Sequence, residues 1–244
     1  MEVEIDKRTK ELGKIDEELR KLERLKEDII SNISHELKTP ITIILSAIEL
    51  ALMENNSPEE LKRFLHIAKR ATDRQRMLVE NLISSIYLKQ LAYSSNFTPL
   101  DVEELLDSAV KSVANTAHEK HVKIDIFVEK GIKLNGNKNE LELALYNLLD
   151  NAVKFNKNGG KIKITAKKVG KLTEICIHDT GIGIPEEYHE KIFEKFFQVD
   201  SGTTRKYNGI GIGLSVAKEI IEAHGGRILL ESEPEKGSKF TIVL

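Results

Sequence analysis

Apolar positions along the first part of the chain fall on a helical period. Ile5, Leu12 and Leu19 are seven apart, as are Ile15, Leu22 and Ile29, giving two interleaved heptad series. Such a pattern predicts a parallel two-stranded coiled coil, with a single solvated helix as the alternative over so short a run. The stripe continues through Ile29, Ile30, Ile33, Leu37, Ile41, Ile44, Leu45 and Ile48, which predicts one helix from near the start to about residue 53. Residues 54–60 interrupt it, and Ser57, Pro58 and Glu60 there form a capping box with proline at the first helical position. A second helix then runs to about residue 93, with Leu61, Leu65, Ala68, Thr72, Leu78, Leu82 and Ile86 on one face. Two long helices joined by a short turn make an antiparallel hairpin. One hairpin leaves much of its stripe in water, whereas two close it into a four-helix bundle, so a homodimer is expected.

The pattern changes at Ser94-Ser95-Asn96, a predicted linker that divides the chain into residues 1–95 and 96–244. Beyond a short extended piece near Phe97, helical and strand periods alternate. Helices are expected at 101–119, 138–155 and 213–224, with a helical piece at 186–198 and a polar loop at 200–209. Strands are expected at 122–128, 161–169, 174–178, 227–232 and 239–244. Leu141, Leu145, Leu148, Leu149 and Val153 point the second of these helices inward. Strands arranged as hairpins or with helices between them predict an α+β layer, helices on one face of a sheet. The fold class is therefore a helical hairpin followed by an α/β sandwich. His224-Gly225-Gly226 reads as a helix C-cap.

Composition narrows the picture little. The chain is 40% hydrophobic and 31% charged without tryptophan, which suits a globular protein rich in helix. A net charge of −2 gives no support for a nucleic-acid partner. The single cysteine, Cys176, cannot form an internal disulfide, which points to a reducing, cytoplasmic setting. No apolar run approaches a membrane span and no signal peptide precedes the first helix, although a longer protein anchored in a membrane stays compatible with this.

Five stretches carry candidate chemistry. In Ser34-His35-Glu36-Leu37-Lys38-Thr39-Pro40 the helical spacing leaves His35 beside the stripe, able to reach solvent. Glu36 is adjacent, Thr39 lies one turn on, and Pro40 removes a backbone donor and should bend the helix. A histidine with a neighbouring carboxylate suits phosphoryl transfer to nitrogen; an ordinary surface histidine is the alternative. Asn147, Asn151 and Lys154 are spaced i, i+4, i+7 on one helix face. Amide oxygens are hard ligands suited to Mg²⁺ and an ammonium suits phosphate, unless this is a plain polar face. Asp179 leaves a strand into a turn with Gly181 and Gly183, where a carboxylate can accept an amino group such as that of adenine and glycine permits close approach. A simple strand-to-helix turn would use the same residues. Phe193, Phe196 and Phe197 suggest the packed base of a loop. Gly209, Gly211 and Gly213, followed by Leu214, open a helix whose backbone donors suit phosphate. They lack the ending of a P-loop and no strand precedes them. The polar loop before them, residues 201–208, has the character of a lid.

In this order the five stretches resemble the H box, N box, first glycine box, F box and second glycine box of the bacterial-type sensor histidine kinases. The resemblance covers about residues 26–244. It implies a dimerisation and phosphotransfer domain over 1–95 and a Bergerat-type ATP-binding domain over 96–244, working with ATP and Mg²⁺. It makes His35 the phosphoacceptor, Glu36 the base for its ring proton, and Thr39 a residue that positions water for dephosphorylation of the partner. It places Asn151 on Mg²⁺, Asn147 and Lys154 near the phosphates, Phe155 near the nucleotide and Asp179 on the adenine amino group. Gly181, Gly183, Gly209, Gly211, Gly213 and Leu214 would shape the pocket and lid. The implied partner is an aspartate on the receiver domain of a separate response regulator. Two other readings stand beside this one: a Bergerat-fold ATPase that clamps a dimer, and a non-catalytic module that binds the regulator. Acid-labile phosphate on His35 separates the first, and binding of an ATP analogue the second. Three residues depart from the family's habit. Gln198 replaces an arginine directed at the terminal phosphate, for which Lys195 or Arg205 are candidate substitutes; Asn137 replaces an acidic residue; and Ile210 replaces a small hydroxyl residue.

Overall fold

A computed structural model describes residues 2–54, 56–87, 97–199 and 210–244; side chains before residue 16, several of those up to 28, and those of 84–87 lie outside this set. By contact the chain divides into two compact units, Met1–Arg76 and Met77–Leu244.

The first unit is built from helices α1 (Glu2–Ala51) and α2 (Pro58–Tyr87), whose last turns count with the second unit. The predicted capping box forms: the Ser57 N–H donates to Glu60 Oε2 at 2.9 Å and the Glu60 N–H donates to Ser57 Oγ at 3.2 Å. These bonds hold the Glu60 pKa below its ordinary value. Asn56 closes the end of α1 by donating its amide to the carbonyls of Leu50 and Met53 at 2.7 and 2.9 Å. α1 continues through Pro40, where the Glu36 carbonyl necessarily loses its helical donor. Within the hairpin Glu36, Pro40, Ala47 and Ala71 are buried. Of the predicted stripe, Ile33, Leu37 and Ile44 are half-buried, while Ile30, Ile41, Leu45, Ile48, Leu61 and Leu65 stay between 40% and 56% exposed. The heptad side chains Ile5, Leu12, Ile15 and Leu22, and positions 88–93 of the predicted second helix, lie outside the described residues.

The second unit has a five-stranded sheet, order β2-β4-β5-β7-β6, from β2 (Lys123–Val128), β4 (Lys161–Val169), β5 (Leu172–Asp179), β6 (Arg227–Glu233) and β7 (Gly237–Val243). Among the described strands only β2 and β4 pair in parallel. That pairing requires a crossover, supplied by β3 (Lys133–Gly136) and helix α4 (Lys138–Lys154). β3 pairs instead with β1 (Thr98–Asp101), beside helix α3 (Val102–Glu119). With α5 (Gly213–Ala223), α3 and α4 cover one sheet face. Alternation along the strands directs Ile162, Ile164, Ile175, Ile177, Phe240 and Ile242 into that core. Cys176 takes the opposite face, half-buried between Thr165 of β4 and Thr241 of β7.

The helix expected at 186–198 reduces to two 3₁₀ turns, Glu186–Tyr188 and Lys191–Phe193. Phe196 there has φ +67°, which no α-helix tolerates, because the segment turns to pack Phe193 and Phe197 against the core. At the far end of α5, His224 caps the helix and Gly225 follows with φ +74°, as expected. The Asn137 N–H donates to His224 Nε2 at 3.1 Å, so the ring's proton sits on Nδ1 and is given to the Ile220 carbonyl at 2.8 Å. Phe97 stacks on the same ring with centroids 4.6 Å apart.

Candidate nucleotide and phosphoacceptor sites

α4 begins where Asn137 accepts the N–H groups of Asn139 and Glu140 at 3.1 and 3.3 Å. Asparagine thus does the capping work at the position where the resemblance suggested an acid. The buried side of the helix, Leu141, Leu145, Leu148 and Leu149, fixes its rotation on the sheet, and its other side carries Asn147, Asn151 and Lys154. Asn147 is buried, whereas Asn151 and Lys154 are half-buried. The Lys154 ammonium lies 5.2 Å from the centroid of the Phe155 ring, and Phe155 caps the helix.

Two turns meet the ends of this line. At its C-terminal end the Phe155 carbonyl accepts the Ile182 N–H at 3.1 Å. A Cβ on Gly181 would stand 2.5 Å from that same carbonyl oxygen and 2.7 Å from Asp179 Oδ1. Gly183, at φ +67°, leaves no room either, since a Cβ there would meet the Glu233 carbonyl. These glycines are therefore demanded by the protein's own backbone, a reason independent of any ligand. At the other end of the line, a Cβ on Gly213 would lie 3.0 Å from Asn147 Oδ1. Gly213 is the first residue of α5, no side chain among the described residues caps that helix start, and Leu214 follows it half-buried. Gly211 precedes it at φ +74°. Gly209, the loop 201–208 and Arg205 lie outside the described residues.

Asp179 ends β5 with 5% of its surface exposed. Its Oδ1 accepts the N–H groups of Gly181 at 2.7 Å and Ser238 at 3.3 Å. Burial raises its pKa, and these two bonds offset part of the rise. Lys195 forms an ion pair of 3.0 Å with Glu219 of α5.

In the first unit His35 is exposed, as its position beside the stripe predicts, and its neighbour Glu36 is only 8% exposed. A guanidinium nitrogen of Arg74 on α2 lies 3.9 Å from Glu36 Oε2. Thr39 is exposed and donates its hydroxyl to the His35 carbonyl at 3.1 Å. Sequence reasoning missed three partners: Arg74, Ser238 and Asn81. Asn81 and Asn147 exchange amide hydrogen bonds of 2.8 Å in both directions. The available signal was an asparagine among the apolar residues Met77, Leu78 and Leu82 of α2.

Residues 136–244 match the family model of the histidine kinase-, DNA gyrase B-, and HSP90-like ATPases, and residues 25–86 match that of the His Kinase A (phospho-acceptor) domain. The chain is 31% identical over 222 residues to the sensor-like histidine kinase SenX3 of Mycolicibacterium smegmatis, covering 91% of this chain and 58% of that protein. It is 31% identical over 232 residues to the sensor histidine kinase WalK of Bacillus subtilis, covering 93% of this chain and 38% of that protein. The chain thus spans 58% or less of the length of these curated relatives. Among solved structures, histidine kinase ThkA in complex with response regulator protein TrrA aligns with a TM-score of 0.56 and 27% identity, over 96% of this chain and 66% of that one. No helix among the described residues is long and apolar enough to cross a membrane.

Proposed function

This chain belongs to the sensor histidine kinases, and from that premise we propose that it transfers the γ-phosphoryl group of Mg-ATP to His35. The observation that carries the nucleotide reading is the course of α4 between two glycine turns. Asn147 lies against the start of α5, and Phe155, eight residues on, meets the turn after Asp179. Eight helical residues rise about 12 Å. That span suits a nucleotide laid with its base at Asp179 and its phosphates toward the first N–H groups of α5. Both described bonds to Asp179 use Oδ1, so Oδ2 is the oxygen available to an exocyclic amino group. Lys154 supplies a positive charge along the way.

Magnesium takes one or two protein oxygens and completes its shell with water and phosphate oxygens. The half-buried carboxamide of Asn151 fits that demand. The ion, when bound, neutralises charge on the phosphates. With Lys195 paired to Glu219 and Gln198 neutral, Arg205 is the remaining candidate for a cation at the terminal phosphate.

At His35 a neutral ring nitrogen attacks the γ-phosphorus. The N–P bond forms as the bond from phosphorus to the β–γ bridging oxygen breaks, and ADP leaves. Glu36 receives the proton on the other ring nitrogen, which keeps the attacking one unprotonated. The phosphoryl group then passes to an aspartate of a response regulator; that ThkA is found with such a regulator supports this partner. Thr39, exposed one turn from His35, serves the reverse task of positioning water for dephosphorylation of the regulator. The exposed stripe of the hairpin supports a homodimer that closes as a four-helix bundle.

The test is incubation with γ-labelled ATP and magnesium, followed by mapping of the acid-labile phosphate. Label is expected on His35, and His35→Gln should abolish it while leaving ATP affinity unchanged. Phosphate recovered on another residue of that variant overturns the assignment. In the same assay extended to a receiver domain, Thr39→Ala should slow dephosphorylation and spare labelling of His35; equal loss of both would make Thr39 structural.

A further inference from the structure

The amide pair between Asn81 and Asn147 lies in the second unit and has no part in the reaction as proposed. Each carboxamide donates one N–H and accepts one, both at 2.8 Å, and the residues are 9% and 5% exposed. Met77, one turn earlier in α2, packs against the core. On its other side Asn147 lies against Gly213 at the start of α5. The Asn147 carboxamide is thus enclosed between the end of α2 and the α5 N-terminus, with one N–H and one lone pair left. Asn81 is a polar residue in an otherwise apolar stretch of α2, with Met77, Leu78 and Leu82 close to it in sequence. A buried amide is tolerated there because it meets a complementary amide.

We propose that Asn81 competes with nucleotide for the Asn147 carboxamide, so that the last turns of α2 act as a latch on nucleotide affinity. This rests on the nucleotide reading above and on Asn147 contacting a phosphate, the role the resemblance implies for it. A phosphate oxygen that draws on both Asn147 N–H groups must displace Asn81 from the one it holds. Doing so gives up two neutral hydrogen bonds of ordinary net strength, which corresponds to a roughly tenfold weakening of apparent affinity.

The experiment titrates the full chain with a fluorescent, non-hydrolysable ATP analogue and magnesium. It compares wild type with Asn81→Ala, Asn81→Leu, Asn147→Ala and the Asn81→Ala/Asn147→Ala double variant. Both Asn81 variants should bind the analogue about tenfold more tightly. Asn147→Ala should bind it more weakly, and adding Asn81→Ala to that background should change nothing. Amide hydrogen exchange at residues 77–83 adds a readout that a merely structural role would not move. In wild type, exchange there should speed up when the analogue saturates the protein, approaching the rate of unliganded Asn81→Leu. If Asn147→Ala weakens binding while both Asn81 variants bind like wild type or worse, the latch is overturned and the nucleotide reading stands. If Asn147→Ala leaves affinity unchanged, the role given to Asn147 falls, and the competition with it.

Discussion

Helices α1 and α4 present nearly the same hydrophobic period, yet their apolar residues meet opposite fates. Leu141, Leu145, Leu148 and Leu149 of α4 are at most 1% exposed, whereas Ile30, Ile41, Leu45 and Ile48 of α1 are 42–55% exposed. α4 has a sheet and two other helices of its own chain to cover it. Of the described hairpin residues, Glu36, Pro40, Ala47 and Ala71 are buried, with Arg74 of α2 reaching Glu36 of α1. Period therefore declares that a helix needs a partner, while the topology of the single chain decides whether the partner is already present. The chemistry divides along the same line. The proposed acceptor His35 is exposed on the half-covered helix, and Asp179 is buried in the unit that completes its own core.

The largest effect should come from the completed core. Leu148→Ala removes a fully buried side chain and leaves a cavity, expected to cost about 3 kcal/mol. Urea unfolding followed by circular dichroism should show a transition of the second unit shifted to markedly lower denaturant; a shift no larger than that of a surface change would mean that α4 is not packed as described. Ile48→Glu on α1 should act differently. It places a charge on the exposed stripe, so sedimentation should find monomer at concentrations where wild type is dimeric, with unfolding of the second unit unaltered. A variant that stays dimeric would show that the stripe is not the dimer contact.

How far the sequence carried depended on range. α1, α2 and α4 were legible because their apolar spacing, and the Ser57–Glu60 box, are local signals. β3 was not, since Lys133-Leu134-Asn135-Gly136 is too short to display a period. The segment 186–198 misled for the opposite reason: Ile192, Phe193 and Phe197 are apolar at nearly helical spacing, but tertiary packing holds Phe196 at a positive φ. Around the site, the line Asn147, Asn151, Lys154 was readable from helix geometry. The bond partners of Asp179 and Asn147 were not: Ser238 and Asn81 lie 59 and 66 residues away, beyond what any periodicity reports. The glycines of the first turn were found for one reason and are held by another, the crowding of the Phe155 and Glu233 carbonyls.

The smallest stability effect, and the sharpest test of buried against exposed chemistry, belongs to Asp179. Its native pKa is raised by burial, so the folded protein binds the proton more tightly than the unfolded chain does. Stability should therefore fall as pH rises from the ordinary aspartate value to the raised native one, and stay level above that window. Asp179→Asn has no such proton to lose. Its urea midpoint should match or exceed that of wild type above the window, with the difference shrinking in acid, while binding of the ATP analogue disappears. A difference independent of pH would contradict the burial argument.

The half-buried thiol of Cys176 gives the molecule an observer's position that no substitution has to create. It is the chain's single sulfur nucleophile and sits between Thr165 and Thr241, on the sheet face away from the helices. Three residues further along the same strand is Asp179. A small fluorophore or ¹⁹F tag attached there would report on the strand that ends at the proposed adenine contact, from the sheet face away from the helices, in the unmutated protein.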